Sequence, residues 1–76
     1  MELNGFVAHF AEQFEDTEAS SFMPETRFRE LDEWSSFMGL NIIAMVDEEY
    51  DIVLKGDDIR KAQTIKDVFD IVCSKQ

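Results

Sequence analysis

Apolar residues recur every three or four positions in three parts of the chain, which is the spacing of one-sided helices. In residues 2–14 these positions are Leu3, Phe6, Val7, Phe10 and Phe14. In residues 36–50 the predicted inner stripe is Phe37, Leu40, Ile43, Val46 and Tyr50. In residues 64–73 the positions are Ile65, Val68, Phe69 and Val72. With a shorter helix at about 57–61, the pattern predicts a single all-α domain, a small four-helix bundle.

Turn and capping residues separate these helices. Lys55-Gly56-Asp57-Asp58 predicts a turn with an Asp N-cap, and Thr64-Ile65-Lys66-Asp67 matches a variant of the capping box. Residues 15–35 have no sustained period and contain Pro24, so they predict a loop of a length that is uncommon in compact domains. The side chains expected to hold this loop on the core are Phe22, Phe28, Leu31 and Trp34.

The second helix is predicted to turn a mixed apolar and acidic face to solvent. That face comprises Met38, Asn41, Ile42, Met45, Glu48 and Glu49. Flexible apolar groups beside carboxylates suit an adaptable docking surface for a protein. The alternative is that Ile42 and Met45 widen the buried stripe.

The charge around the second helix is one-sided. Seven acids and no Lys or Arg lie between Glu30 and Asp51. Asp47, Glu48 and Glu49 stand in the last turns, where acids oppose the helix dipole and each costs roughly 0.3–1 kcal/mol. Stability does not explain this cost, so we expect these three acids to belong to the docking surface. The alternative is that they form a solvated face.

The overall composition restricts the class of partner. The formal net charge is −10, and 45% of the residues are hydrophobic, including seven Phe. Such a chain can build a core, but it lacks the clustered cations that bind nucleic acid phosphates, so a basic protein partner is expected. No run approaches the roughly 20 apolar residues of a membrane span, and no signal-peptide pattern is present, so a cytoplasmic location is expected.

The chain holds little catalytic or metal-binding chemistry of its own. The lone Cys73 is given no role, and the lone His9 is expected to be exposed or satisfied by a hydrogen bond. An EF-hand register starting at Asp47 places Ile52 where Gly is required and Asp58 where a bidentate Glu is required. We therefore expect neither an enzyme nor a dedicated metal site.

A serine pair at the start of the second helix is the candidate site of modification. Ser-Ser-Phe-Met occurs at residues 20–23 and again at residues 35–38, but Pro24 disfavours a helix after the first copy. In the second copy, Ser35 can act as N-cap and Ser36 lies beside the unpaired N–H groups of the first turn. That environment tolerates an anionic phosphodiester.

The segment from Trp34-Ser35-Ser36-Phe37 to Glu48-Glu49-Tyr50, with the order of the helices and the acidity, resembles the acyl carrier protein family. The family motif is Asp-Ser-Leu at the start of the second of four helices. The resemblance spans nearly the whole chain: Phe28 and Leu31 match apolar loop positions, and Thr64 and Ile65 match the start of the last helix. It implies that Ser36 carries 4′-phosphopantetheine, attached from coenzyme A by a phosphopantetheinyl transferase.

This chain departs from the family pattern at three positions: Ser35 replaces the Asp, Phe37 replaces the Leu, and Asn41 stands where many members have an acid. The resemblance implies a monomeric carrier that takes acyl thioesters to acyl-transfer and synthase enzymes with basic docking patches, in fatty acid, polyketide or related biosynthesis. Gly39 could leave room for the arm or be tolerated without a role. The alternatives are an acidic four-helix adaptor without an arm and, more distantly, a divalent-cation buffer.

Overall fold

Four α-helices surround one apolar core in the computed structural model, which describes residues 2–76. They are α1 (Leu3–Ala11), α2 (Ser36–Tyr50), α3 (Gly56–Lys61) and α4 (Ile65–Ser74). Two 3-10 turns, Ala19–Ser21 and Phe28–Glu30, lie between α1 and α2. Within residues 2–76 there is no strand, and β pairing is limited to one isolated bridge. The predicted all-α fold with four helices is confirmed.

The first helix ends earlier than its apolar spacing predicts. Helix α1 stops at Ala11, although the predicted helix runs to Phe14. The chain keeps turning through tighter hydrogen bonds, since the N–H of Phe14 donates to the carbonyl of Ala11 at 3.0 Å. Phe14 therefore stays buried and stacks on Phe10, with ring centroids 5.8 Å apart. The spacing predicts the buried side correctly but not the end of the α-helix.

The long connection between α1 and α2 is held on the core by its aromatic side chains. Phe22 and Phe28 are buried, and Leu31 and Trp34 are partly buried against the core, as predicted. Backbone bonds add to this attachment, since the N–H of Lys66 donates to the carbonyl of Pro24 at 2.8 Å. The connection is therefore a packed part of the domain.

The face of α2 that enters the core is only partly the predicted one: Val46 is buried as predicted, and Ile43 and Tyr50 are partly buried against the core. Met38 and Met45 are 7% and 4% exposed, and Ile42 and Val46 are fully buried. Phe37 and Leu40, whose spacing predicts an inner position, are 68% and 64% exposed. The assignment of Met38, Ile42 and Met45 to the outer face is therefore wrong, and the alternative in which Ile42 and Met45 join the core is correct.

The geometry of a helix explains this error. Each residue advances about 100°, so a stripe built from every third residue drifts back by about 60° per step. Phe37 and Val46 are three such steps apart and lie on opposite sides of the helix. The side of Phe37 continues through Ala44 to Asp47 and Glu48, whose carboxylates would be costly to bury without partners.

The starts of the last two helices are fixed by acidic side chains. Thr64 caps α4, its Oγ1 accepting from the N–H of Asp67 at 3.1 Å while the Asp67 carboxylate accepts from the N–H of Thr64 at 3.0 Å. The predicted capping box is confirmed. In α3 the expected Asp N-cap is wrong, because Lys55 is the N-cap and Asp58 accepts from its N–H at 3.0 Å.

Helix α2 ends at a residue with left-handed backbone geometry, and this gives a test of local strain. Asp51 has φ 57°, and its N–H donates to the carbonyl of Asp47 at 3.0 Å. Glycine adopts this conformation without steric cost, and a glycine in place of Asp51 would also remove an acid from the negative end of the helix.

Asp51→Gly should raise the free energy of unfolding by about 0.5–1 kcal/mol in urea denaturation. Asp51→Ala should lower it, and equal stability of the two variants would contradict the argument.

Candidate functional site

Ser36 is the first residue of α2, and it is exposed. The turn that presents it is closed by Ser35, whose backbone is extended and whose Oγ accepts a hydrogen bond from the N–H of Met38 at 3.3 Å. The predicted N-cap role of Ser35 is confirmed. The Ser36 hydroxyl therefore lies at the positive end of a fifteen-residue helix.

A pocket of about 350 Å³ opens beside Ser36 between α2 and α3. Its lining is formed by Arg29, Trp34, Ser36, Gly39, Leu40, Ile43, Gly56, Ile59 and Arg60. Most of the wall is apolar, and two guanidinium-bearing residues stand among its lining. The serine thus borders a largely apolar cavity, and both guanidinium groups in its lining already have partners: Arg29 bonds backbone carbonyls, and Arg60 is paired with the Asp57 carboxylate.

The wall formed by α3 is held in place by Arg29. Its guanidinium donates to the carbonyl oxygens of Arg60, at 2.7 Å, and of Ala62, with a longer contact of 3.5 Å to Ile59. These carbonyls belong to the C-terminal end of a six-residue helix, where a cation also complements the dipole. Arg29 therefore fixes the position of a short helix that has little stability of its own.

Trp34 and Gly39 also line the pocket. The indole of Trp34 packs edge-on against the buried ring of Phe28, with centroids 4.8 Å apart. A Cβ added at Gly39 would lie 3.7 Å from the Trp34 ring, which is ordinary van der Waals contact. The glycine therefore leaves space in the pocket near Ser36 but is not required by the packing of Trp34.

Apart from Ile42, the six residues predicted to dock partners fall into three groups. Met38 and Met45 are buried core residues, so their assignment to docking is wrong. Asn41 is half-buried, with its Nδ2 3.8 Å from the sulfur of Met38. The remaining three, Asp47, Glu48 and Glu49, are exposed at the C-terminal end of α2.

The sequence prediction missed an exposed apolar patch next to the candidate serine. The patch consists of Phe37 and Leu40, which are exposed in the first turns of α2. Along α2 the same side continues through Ala44 to Asp47 and Glu48. The signal that could have identified this outer side is the acidic continuation at the helical spacing of three and four residues.

His9 joins the ends of α1 and α2. Its Nδ1 lies 2.7 Å from the hydroxyl of Tyr50, and its Nε2 lies 3.5 Å from Glu49 Oε1. Burial raises the pKa of Tyr50, with a smaller contribution from the charge of Glu49. The expectation that His9 has a hydrogen-bond partner is confirmed. Glu49 contacts His9 and is also exposed to solvent.

Glu33 ties the start of the α1–α2 connection to its end. Its carboxylate accepts hydrogen bonds from the Thr17 hydroxyl at 2.8 Å and from the N–H groups of Glu15 and Asp16 at 3.0 and 3.1 Å. The Thr17 bond, followed by the backbone bonds, lowers the pKa of Glu33. Backbone N–H donors likewise lower the pKa of Asp58 and of Asp67. Hydrogen bonds to these three carboxylates therefore favour their ionised form.

The lowered pKa values predict sensitivity to acid. A carboxylate whose pKa is lower in the folded state stabilises the fold above its unfolded pKa of about 4, and this contribution disappears as the pH falls through the folded value. The free energy of unfolding should therefore decrease below about pH 4. Glu33→Gln should make this decrease shallower in urea titrations at several pH values, whereas Glu25→Gln, at an exposed position, should leave it unchanged. Equal acid slopes for Glu33→Gln and the wild type would contradict the assignment.

The surroundings of the pocket offer no metal cluster. Within residues 2–76 no group of three His, Cys, Asp or Glu side chains is placed to hold a metal ion. In the same range no helix combines the length and the apolar character needed to cross a bilayer.

Comparisons with protein families, with curated proteins and with solved structures gave no match.

Proposed function

We propose that this chain is an acyl carrier protein whose Ser36 bears a 4′-phosphopantetheine arm. The observation that carries the proposal is the exposed Ser36 in the first turn of α2, beside a pocket of about 350 Å³. The chain itself catalyses nothing in this function, and a phosphopantetheinyl transferase supplies the chemistry. The resemblance of the Trp34 to Tyr50 segment to carrier proteins gives further support.

The residues around Ser36 fit such a group. The unpaired N–H groups of the first turn and the helix dipole favour the negative charge of a phosphodiester. Arg60 lines the same pocket, where it is paired with Asp57, and Gly39 places no side chain in it. The apolar part of an acyl chain would contact Trp34, Leu40, Ile43 and Ile59. When attached, the arm supplies a terminal thiol that carries the acyl group as a thioester.

The attachment is a substitution at phosphorus. The Ser36 oxygen forms a bond to the phosphorus that bears the pantetheine, and the bond from that phosphorus to the bridging oxygen of the coenzyme A diphosphate breaks. Adenosine 3′,5′-bisphosphate leaves, and the serine proton passes to a base of the transferase. Ser36 needs no base in this chain, since the partner enzyme brings it.

The direct test is intact mass measured after incubation with coenzyme A, Mg²⁺ and a set of broad-specificity transferases. The wild-type chain should gain the mass of one phosphopantetheine group. A chain that stays unmodified with every transferase would contradict the proposal.

The acidic adaptor is the second candidate, and two observations favour it. Ser35 stands in place of the motif Asp, and Phe37, Leu40 and Val53 are exposed apolar residues that could bind a protein without any arm. The adaptor function predicts no mass gain but retains binding to a basic protein. The same mass measurement therefore separates the two functions.

The partner enzymes of the proposed carrier would dock on the outer side of α2. That side presents Phe37 and Leu40 near Ser36 and the carboxylates of Asp47 and Glu48 farther along. Charges at the rim of an interface mainly set the association rate, whereas buried apolar anchors mainly set the dissociation rate.

Two variants should separate these contributions in surface binding kinetics with a transferase that accepts the chain. Glu48→Lys should slow association and weaken its dependence on salt, by up to about tenfold in rate at low ionic strength. Leu40→Ala should speed dissociation and leave the salt dependence unchanged. Glu25→Lys, which makes the same charge change away from α2, is the control. Wild-type rates for Glu48→Lys would exclude this side as the recognition element.

A further inference from the structure

A second apolar groove lies between α1 and the Ala19–Ser21 turn. Its volume is about 640 Å³, and it shares no lining residue with the pocket beside Ser36. The buried residues Val7, Phe14 and Phe22 contribute to its lining, as does Met23, which is 53% exposed. An open apolar surface of this kind is typical of an interaction site.

The segment that forms this groove carries charge of one sign. From Glu2 to Thr26 the chain has six acids and no Lys or Arg. Glu12 lines the groove directly, and Glu18 lies between two lining residues, Thr17 and Ala19. An occupant must therefore be apolar on one side and positively charged at its edges. An anionic membrane surface would be repelled, as would a second copy of a chain with net charge −10.

The walls of the groove favour a helix over a peptide that binds as an added strand. Strand addition needs the edge of a sheet, and residues 2–76 contain no strand. The groove is flanked by small side chains, those of Ala8 and Ala11 on α1 and of Ala19 on the facing turn. Small side chains at a contact allow two helix axes to approach closely.

We propose that this groove binds a basic amphipathic helix of a protein partner. The apolar stripe of that helix would lie on Phe14, Phe22 and Met23, and its Lys or Arg residues would face Glu12 and Glu18. The site does not involve Ser36, so its occupation is a separate property from the carrier function.

The test is titration of the ¹⁵N-labelled full chain with a synthetic Leu/Lys peptide whose leucines repeat at i, i+3, i+4 and i+7. A peptide of the same composition in scrambled order is the control for charge alone. The periodic peptide should cause saturable amide shifts centred on Ala8, Ala11 and Ala19. The Ser36→Ala chain should respond identically.

Two matched substitutions localise the binding. Ala8→Gln fills the groove without changing the charge and should weaken binding about tenfold or more, whereas Ala44→Gln, at an exposed alanine of α2, should have no effect. Ala19→Gln on the facing turn repeats the test without altering α1. The proposal is overturned if the shifts centre on α2, if the scrambled peptide binds equally well, if no saturable binding occurs, or if both glutamine variants at the groove bind like the wild type.

Discussion

Replacing Ser36 by alanine should abolish the attachment of phosphopantetheine, because the substitution removes the only oxygen of that side chain that can bond to phosphorus. Ser36 is exposed at the first position of α2 and does not belong to the buried core, so the variant should fold like the wild type. The measurement is intact mass after incubation with coenzyme A and a transferase that modifies the wild type. If Ser36→Ala still gains the mass of one phosphopantetheine group, the modified residue is another hydroxyl-bearing side chain.

Substitutions at neighbouring serines serve as controls. Ser21→Ala removes the corresponding hydroxyl of the other Ser-Ser-Phe-Met copy and should leave loading unchanged. Ser35→Ala removes the N-cap, which costs about 1 kcal/mol, and should slow loading without preventing it. Ser35→Asp keeps an acceptor for the Met38 N–H and restores the acid of the family motif, so it should load faster than the wild type. Loading of Ser35→Asp at the wild-type rate would show that the transferase does not read this charge.

The parts of the fold that the sequence predicts correctly depend on local residues. Helix α2 begins after Ser35 and α4 begins after Thr64, as predicted, because each cap is a bond between a side chain and an amide three residues away. Such signals are present in four consecutive residues and need no knowledge of the rest of the chain. The candidate serine is located by the same kind of signal.

The end of α1 depends on a residue that is distant in the sequence. Glu33 accepts the N–H groups of Glu15 and Asp16 and the hydroxyl of Thr17, and so fixes the chain in a non-helical path soon after Ala11. The position of the α3 wall of the pocket also depends on a distant residue, since Arg29 binds carbonyls of Arg60 and Ala62 about thirty positions later. Periodicity within one segment contains no information about either contact.

The buried side of α2 could have been predicted from the sequence, and the error has a definite cause. Apolar residues occur on several sides of its first turns, so the apolar pattern alone fits more than one orientation. The acids Asp47 and Glu48 resolve the ambiguity, because the side that continues into two carboxylates must face water. Applied from Phe37 onward, this rule places Leu40 outside and Ile42 inside.

The observed orientation of α2 makes its own prediction, which contrasts two residues of the same helix. Met45→Ala should lower the free energy of unfolding by about 2–4 kcal/mol, because it removes a side chain that is 4% exposed and leaves a cavity in the apolar core. A domain of this size has a total stability of roughly 4–11 kcal/mol, so the loss is a large part of it. The measurement is urea denaturation followed by circular dichroism, with the slope checked for unchanged two-state behaviour.

Leu40→Ala is the matched control, since it also truncates an apolar side chain in α2 and since leucine and alanine are both strong helix formers. Leu40 is 64% exposed, so its loss should change stability by no more than about 0.5 kcal/mol. The orientation predicted from apolar spacing alone gives the reverse order, with Leu40 costly and Met45 neutral. Large losses of stability at both positions would contradict both orientations and would require α2 to be buried on two sides.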